Sequence, residues 1–261
     1  MEFIDTHFHT FDNINMEEYI MEAQRDGGKA FLLCGGNLTD SHEALTLASQ
    51  YEPLYFAAGV HPLEAEKMEG ELSDYEKIAR HEKCVAIGEI GLDYYYEKET
   101  AQKQQKILAD FLALALKLNK PAILHCRDVE GSEKAYYDMY ELLSPFAEKG
   151  GRFVLHCYAG NLDFAQKFLA LGGKFGVGGI VTFRKGENIR EFVKAVPLES
   201  LFLETDAPYL APIPFRGKTN HSKYIPYIVR TVAECKGISI EECGRVTTRN
   251  AESFFAFPAS L

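Results

Sequence analysis

The stretch Pro121-Ala122-Ile123-Leu124-His125-Cys126 is a short apolar run that ends on a histidine, and Arg152-Phe153-Val154-Leu155-His156-Cys157 repeats it in kind. Six more runs share this character, at 2–7, 29–34, 54–59, 84–89, 174–178 and 200–205. Near-continuous apolar runs of this length are what parallel strands buried on both faces require. Amphipathic stretches separate them. The clearest is 101–118, with Ile107, Leu108, Phe111, Leu112, Leu114, Ala115 and Leu118 on one broad stripe. Ser73-x-x-Glu76 and Ser239-x-x-Glu242 read as capping boxes, and Gly172-Gly173 as the stop of a helix that begins near Leu162. Eight strands, each followed by a helical or connecting stretch, predict an α/β fold closed as a (β/α)8 TIM barrel, in a single domain over 1–261. An open doubly wound sheet is the alternative.

The length of 261 residues suits one such barrel. A net charge of −10 argues against a protein that coats DNA or RNA, though not against a locally basic cleft. The start, Met1-Glu2-Phe3-Ile4-Asp5, has neither the basic region nor the apolar run of a secretory signal, and no run approaches the ~18 residues of a membrane span. The six cysteines form no CxxC and read as reduced thiols. The expected compartment is the cytoplasm, with no membrane and no obligate protein partner.

In barrels of this kind the reactive residues stand at the C-terminal strand ends. Here those ends carry His7-x-His9, Gly59-Val60-His61-Pro62, Glu89, His125, His156 and Asp206. Windows of three residues at eight ends cover about a tenth of the chain, so chance would place about one of the eight histidines there. Five are there. His7 and His9, at i and i+2, point to the same side of a strand. By the same alternation, Cys126 and Cys157 face the helices if His125 and His156 face the mouth, which makes the two thiols packing residues. His42 and His81 fall in helical stretches and read as structural.

Four histidines with Glu89 and Asp206 exceed what one tetrahedral zinc needs. They suit two divalent ions about 3.5–4 Å apart with a carboxylate between them, and Glu89 is the natural bridge. Zinc, manganese and magnesium all fit ligands of these types. Other chemistries fail on specifics. Gly217-Lys218-Thr219 lacks the first glycine of a P-loop, Gly176-x-Gly178 lacks the third glycine of a dinucleotide fingerprint, and no G-x-S-x-G occurs. Arg127, Arg184, Lys185, Arg216, Lys218 and Lys223 all follow strand ends and are expected to face a phosphate. Tyr94, Tyr95, Tyr96 and Tyr158 either stack bases or pack loops.

At these residues the sequence resembles the TatD family of metal-dependent deoxyribonucleases. The matching segments are Phe3–His9, Gly59–Pro62, Gly88–Tyr94, Leu124–Arg127, Leu155–Tyr158, Glu204–Leu210 and Arg216-Gly217-Lys218-x-Asn220. The resemblance implies a barrel with a two-metal hydrolytic site that cleaves phosphodiesters, often from DNA 3′ ends. It implies that His7, His9, Glu89 and Asp206 hold one ion, that Glu89, His125 and His156 hold the other, and that His61 lies beside the substrate phosphate. Two segments depart from the family: Thr10-Phe11-Asp12 after the His pair, and His221-Ser222 where the family has Glu-Pro. The second departure makes His221 a candidate substitute contact at the rim.

The leading expectation is a 3′–5′ exodeoxyribonuclease acting on DNA ends or oligonucleotides. Asp206 orients or deprotonates water, Glu89 bridges, and His61, Arg127 and Arg216 contact the substrate. A metal-dependent hydrolase of a small-molecule ester, lactone or amide uses the same site and is the alternative. A metal-binding scaffold without activity is the third reading.

Overall fold

The computed structural model describes residues 1–257. Its strands are β1 (Phe3–Phe8), β2 (Gly28–Cys34), β3 (Leu54–Ala58), β4 (Cys84–Asp93), β5 (Ala122–Arg127), β6 (Phe153–Leu155), β7 (Lys174–Val177) and β8 (Leu201–Leu203). They form one parallel sheet in the order β1 to β8. The last strand returns to the first. Thr6 Oγ1 donates to Leu203 O, Asp206 N–H to His7 O and His9 N–H to Ala207 O, with a parallel bridge between Phe8 and Ala207. The sheet is therefore a barrel, closed through the residues that follow β8. Residues 258–261 lie outside the described part of the chain.

The helices are α1 (Met16–Arg25), α2 (Leu38–Gln50), α3 (Leu72–Ala79), α4 (Ala101–Leu118), α5 (Lys134–Glu148), α6 (Leu162–Ala170), α7 (Glu187–Ala195), α8 (Ile225–Lys236) and α9 (Ile240–Phe255). Residues 101–118 are helical over the predicted span, with Leu108, Phe111, Leu112, Leu114 and Ala115 buried. Ser239 caps α9 by accepting Glu242 N–H. Ser73 does not cap α3. That helix starts earlier, with Glu71 at its N-cap, whose N–H donates to Asp74 Oδ2 at 3.1 Å. No described helix is long and apolar enough to cross a membrane.

Two cores follow from strand alternation. Phe3, Phe31, Phe56, Ile87, Leu124 and Leu203 pack outward against the helices. Ile4, Leu32, Ala57, Val85, Ile123, Val154 and Phe202 fill the barrel, and Ala251, Phe254 and Phe255 of α9 close its floor. Above this inner layer the side chains become polar.

Two irregularities aim them there. From Asp5 to Phe8 β1 advances three residues while its partner advances two, Phe31 to Leu33. Strict alternation from the inward Ile4 would send His7 and His9 outward. The extra residue reverses that and leaves Phe8 in the outer core. On β4, Ile87 to Ile90 spans three residues against Ala122 to Leu124. Both isoleucines face outward, so Glu89 between them turns into the barrel. β4 also runs on to Asp93, four residues past its expected end.

Candidate active site

The inward side chains converge on one point at the C-terminal mouth. His7 Nε2 and His9 Nε2 are 3.0 Å apart. Both lie 3.3 Å from Glu89 Oε2, and they lie 3.7 and 3.4 Å from Asp206 Oδ1. The other oxygen, Glu89 Oε1, stands 3.1 Å from His125 Nδ1 and 2.7 Å from His156 Nε2, and those two nitrogens are 3.3 Å apart. The residues thus sort into two groups about the two ends of one carboxylate, which meet where the His7 and His156 rings stack at 4.0 Å.

These distances fit metal ligation. Four donors about 2.0–2.1 Å from a common ion at tetrahedral corners lie about 3.3–3.4 Å apart. His7, His9, Glu89 and Asp206 match that spacing, and His125, His156 and Glu89 come close to it. Outer partners fix which ring nitrogen faces the centre. His9 Nδ1 donates to Cys34 O at 3.0 Å, and His7 Nδ1 lies 3.4 Å from Cys34 Sγ. His125 Nε2 donates to Asp93 Oδ2 at 2.9 Å, freeing Nδ1 for the site. A carboxylate behind a ligating imidazole holds its tautomer and raises its basicity. Asp93 is itself held by the N–H groups of Tyr95 and Tyr96 and by Gln104, which receives Asp93 N–H on Oε1.

The electrostatics agree with a site built for cations. Burial pushes the Glu89 carboxyl up, but the imidazoles around it, His156 foremost and His125 by its hydrogen bond, outweigh it and hold it well below the usual range. Burial likewise opposes ionisation of Asp206, and His9, His156 and His7 keep it below its ordinary value. Burial lowers His156, yet Glu89, Glu204 and Asp206 raise it to about 9. His9 and His125 are also raised, against the effect of burial, by Asp206 and Glu89 on one and by Asp93 and Glu89 on the other. Burial and the neighbouring His156 push His7 the other way, down to about 4; on the raised rings a divalent ion would displace the proton.

His61 differs in kind. Its Nδ1 accepts the N–H of Leu63 at 3.2 Å, so the neutral ring carries its proton on Nε2, which lies 3.5 Å from Glu89 Oε1. Burial holds the ring neutral, with its pKa lowered to about 3. A metal ligand would need a lone pair at that nitrogen. His61 therefore offers the site a hydrogen-bond donor.

All of these site residues but the fully buried His7 line a cavity of about 560 Å³ with Thr10, Asn37, Asp40, Leu63, Glu64, Tyr96, Arg127, Tyr209 and Leu210. Of the six expected cations only Arg127 lines it, its guanidinium 4.2 and 4.8 Å from the rings of Tyr95 and Tyr96. Arg216 does not reach the cavity and sits 4.5 Å over Phe183. His221 is no rim contact. It stacks on Tyr19 at 3.9 Å and donates from Nε2 to Glu22 Oε2 at 3.2 Å, because Nδ1 accepts Lys223 N–H. Tyr94 and Tyr158 are buried and pack loops, with hydroxyls donating to Asp138 and to Asn161 O. Tyr95 and Tyr96 remain exposed.

The strand reasoning about the cysteines holds for Cys126, which packs against the outer core. It does not hold at Cys157. β6 stops at Leu155, and Cys157 takes a left-handed φ of 43°, so alternation no longer applies. Its N–H donates to Glu204 Oε1, and its sulfur joins His156 and Glu204 in a cluster with metal-ligating donors. Glu204 is fully buried, and burial, opposed by His156, raises its pKa to about 7. Asp5, like Asp93 and Glu204, is a buried acid missed by reading strand ends. It accepts from Thr205 N–H and Oγ1 and from Ser222 Oγ, tying β1 to the loop that follows Asp206.

Comparison with known proteins gives a consistent answer. The family model described as TatD related DNase matches residues 4–256. A Bacillus subtilis protein named uncharacterized metal-dependent hydrolase YabD is 33% identical over 96% of this chain and 98% of its own length. A Klebsiella pneumoniae protein named 3'-5' ssDNA/RNA exonuclease TatD is 35% identical over 92% of this chain and 91% of its own. The crystal structure of YJJV, a TatD homolog from Escherichia coli K12, superposes with a TM-score of 0.90 at 30% identity, covering 98% of both chains.

Proposed function

The chain belongs to the TatD related DNase family, and on that premise we propose that this metal-dependent hydrolase removes nucleotides from the 3′ end of a DNA strand. The observation that carries the reading is the division of Glu89. Its two oxygens face two separate sets of imidazoles, as a carboxylate bridging two divalent ions would. His7, His9, Glu89 and Asp206 would hold one ion, and Glu89, His125 and His156 the other, with zinc, manganese or magnesium as candidates. When bound, such ions supply Lewis acidity, polarising phosphoryl oxygens and making water a stronger acid.

The protein groups do the rest. Asp206 keeps its carboxylate ionised and 14% exposed at the cavity floor, placed to take a proton from water. The oxygen of that water forms the new bond to phosphorus as the bond to the leaving sugar oxygen breaks. His61 Nε2–H donates to a phosphoryl oxygen as charge builds there, and Arg127 binds the flanking phosphate from the rim. The relatives named as 3'-5' ssDNA/RNA exonucleases support this substrate class.

A second reading has its own observation. One arginine lines, together with Asp40 and Glu64, a cavity of small-molecule size, about 560 Å³, which also suits an uncharged ester or lactone. Metal analysis coupled to a 3′-labelled single-stranded oligonucleotide assay with manganese or magnesium decides between them. Stepwise loss of 3′ nucleotides is expected. Turnover of lactones with none of oligonucleotides would replace the first reading by the second.

A further inference from the structure

Between Asp206 and Glu234 the chain has four basic residues and no acidic one, although its net charge is −10. The same segment carries Phe215, Tyr224 and Tyr227. Phe215 stacks on Tyr224 at 4.0 Å with the rings 10° apart, and Tyr227 meets it edge-on at 5.1 Å. With Lys223 and Arg230 they line a second cleft of about 440 Å³, outside the cavity of the metal ligands. Lys218 lies 6.0 Å from the Phe215 ring. Among the described residues, Arg216, Lys218 and Arg230 have no carboxylate within ion-pairing distance, whereas Lys223 pairs with Glu22 at 2.6 Å and Asp26 is itself among the residues that line the cleft.

The surface is tied to the turn after β7 and runs on to the active site. Ile213 N–H donates to Thr182 Oγ1 at 2.9 Å, joining this loop to the turn after β7. Arg190 braces that turn through Val181 O and Phe183 O, and Arg216 covers Phe183. At the other end, Tyr209, 63% exposed, and Leu210 line the active-site cavity. Leu210 and Phe215 are five residues apart, so their Cα atoms lie at most about 18 Å from each other.

We infer that this aromatic and basic cleft is a docking track for the uncleaved part of a single-stranded nucleic acid whose 3′ end occupies the active site. Rings that stack bases, interleaved with cations that follow phosphates, are the recurrent means of holding a single strand without reading its sequence. The inference rests on the nuclease reading for the direction of the strand, but the track's affinity is measurable without catalysis.

The test is fluorescence anisotropy with EDTA-treated protein and labelled single-stranded oligodeoxynucleotides of about three and about twelve nucleotides. The longer strand is expected to bind at least about tenfold tighter, with a steeper salt dependence. Lys218→Glu with Arg230→Glu, both on exposed side chains, should erase that advantage, and Tyr227→Ala should reduce it. Cleavage of the trinucleotide by the metal-loaded variants should stay at the wild-type rate. Equal affinity for the two lengths, or charge-reversed variants that bind like wild type, would overturn the track. So would polyglutamate competing as well as DNA. Length-dependent binding without phosphodiester cleavage leaves the track standing and removes the nuclease reading; cleavage without length dependence does the reverse.

Discussion

The ring of His61 accepts the backbone N–H of Leu63, and this one bond decides what His61 offers the site. The proton is forced to Nε2, toward Glu89 and the open cavity. His61→Ala should lower kcat by about 10²–10³ while leaving the metal content unchanged, as expected for loss of a charge-stabilising donor. Loss of an ion in that variant would move His61 to the ligands.

Asp93 acts through His125, accepting its Nε2–H at 2.9 Å. Asp93→Ala should weaken binding at the His125–His156 half of the site by about 10–100-fold. The variant should regain activity at higher manganese concentration. A loss of kcat that no metal concentration reverses would contradict the positioning role.

Glu89→Gln leaves one oxygen and one amide where two oxygens now face two groups of imidazoles. If the proposed two-ion site is right, the expected outcome is a fall in bound metal to one ion per chain or none, by elemental analysis after dialysis. Saturating metal should also raise the unfolding midpoint of wild type, by the equivalent of about 2.7 kcal/mol at a hundred times Kd, and raise that of the variant less.

His221 gives a pH signature away from the metal ligands. Burial, then the neighbouring Lys223 and against the pull of Glu22, lowers its pKa to about 4. Between pH 6.5 and 4 the unfolded chain therefore binds a proton that the folded chain refuses. Stability from this group is complete above pH 6.5 and is lost as the pH falls toward 4. The loss is at most about 3 kcal/mol, less whatever solvent screens. His221→Gln should flatten that limb in urea unfolding measured across the range; an unchanged slope would remove His221 as its source.

A methyl group on Gly176 would overlap the buried carboxylate of Glu204, which holds Cys157 N–H beside His156. Gly176→Ala should cost about 1–3 kcal/mol and lower activity with it. Adding Glu204→Asp, which withdraws the carboxylate, should recover part of the stability by thermal unfolding.

The barrel was legible because each strand announces itself locally, by an apolar run with a His, Glu or Gly at its end or next to it. The site was legible to the extent that its residues sit on those ends, as His125 on β5 and Asp206 after β8 do. Asp93, Glu204, Asp5 and Cys34 were not assigned roles, since each acts on a residue brought to it by another strand or by a turn. The two extra residues on β1 and β4 were equally hidden, because a bulge is a relation between two strands. Arg216 was misplaced for a related reason: following a strand end brings a residue to the catalytic face but does not say which ring it will lie on.

The floor of the barrel has a further consequence. Phe254 and Phe255 belong to α9, which follows all eight strands, yet they close the apolar layer that supports the polar mouth. On the ribosome all eight strands are synthesised before that stopper exists. Until α9 docks, water can enter the interior from below, and the rings and carboxylates at the mouth lack their dry support. Metal capture and catalytic competence should therefore arise only once α9 seats, after the sheet has formed.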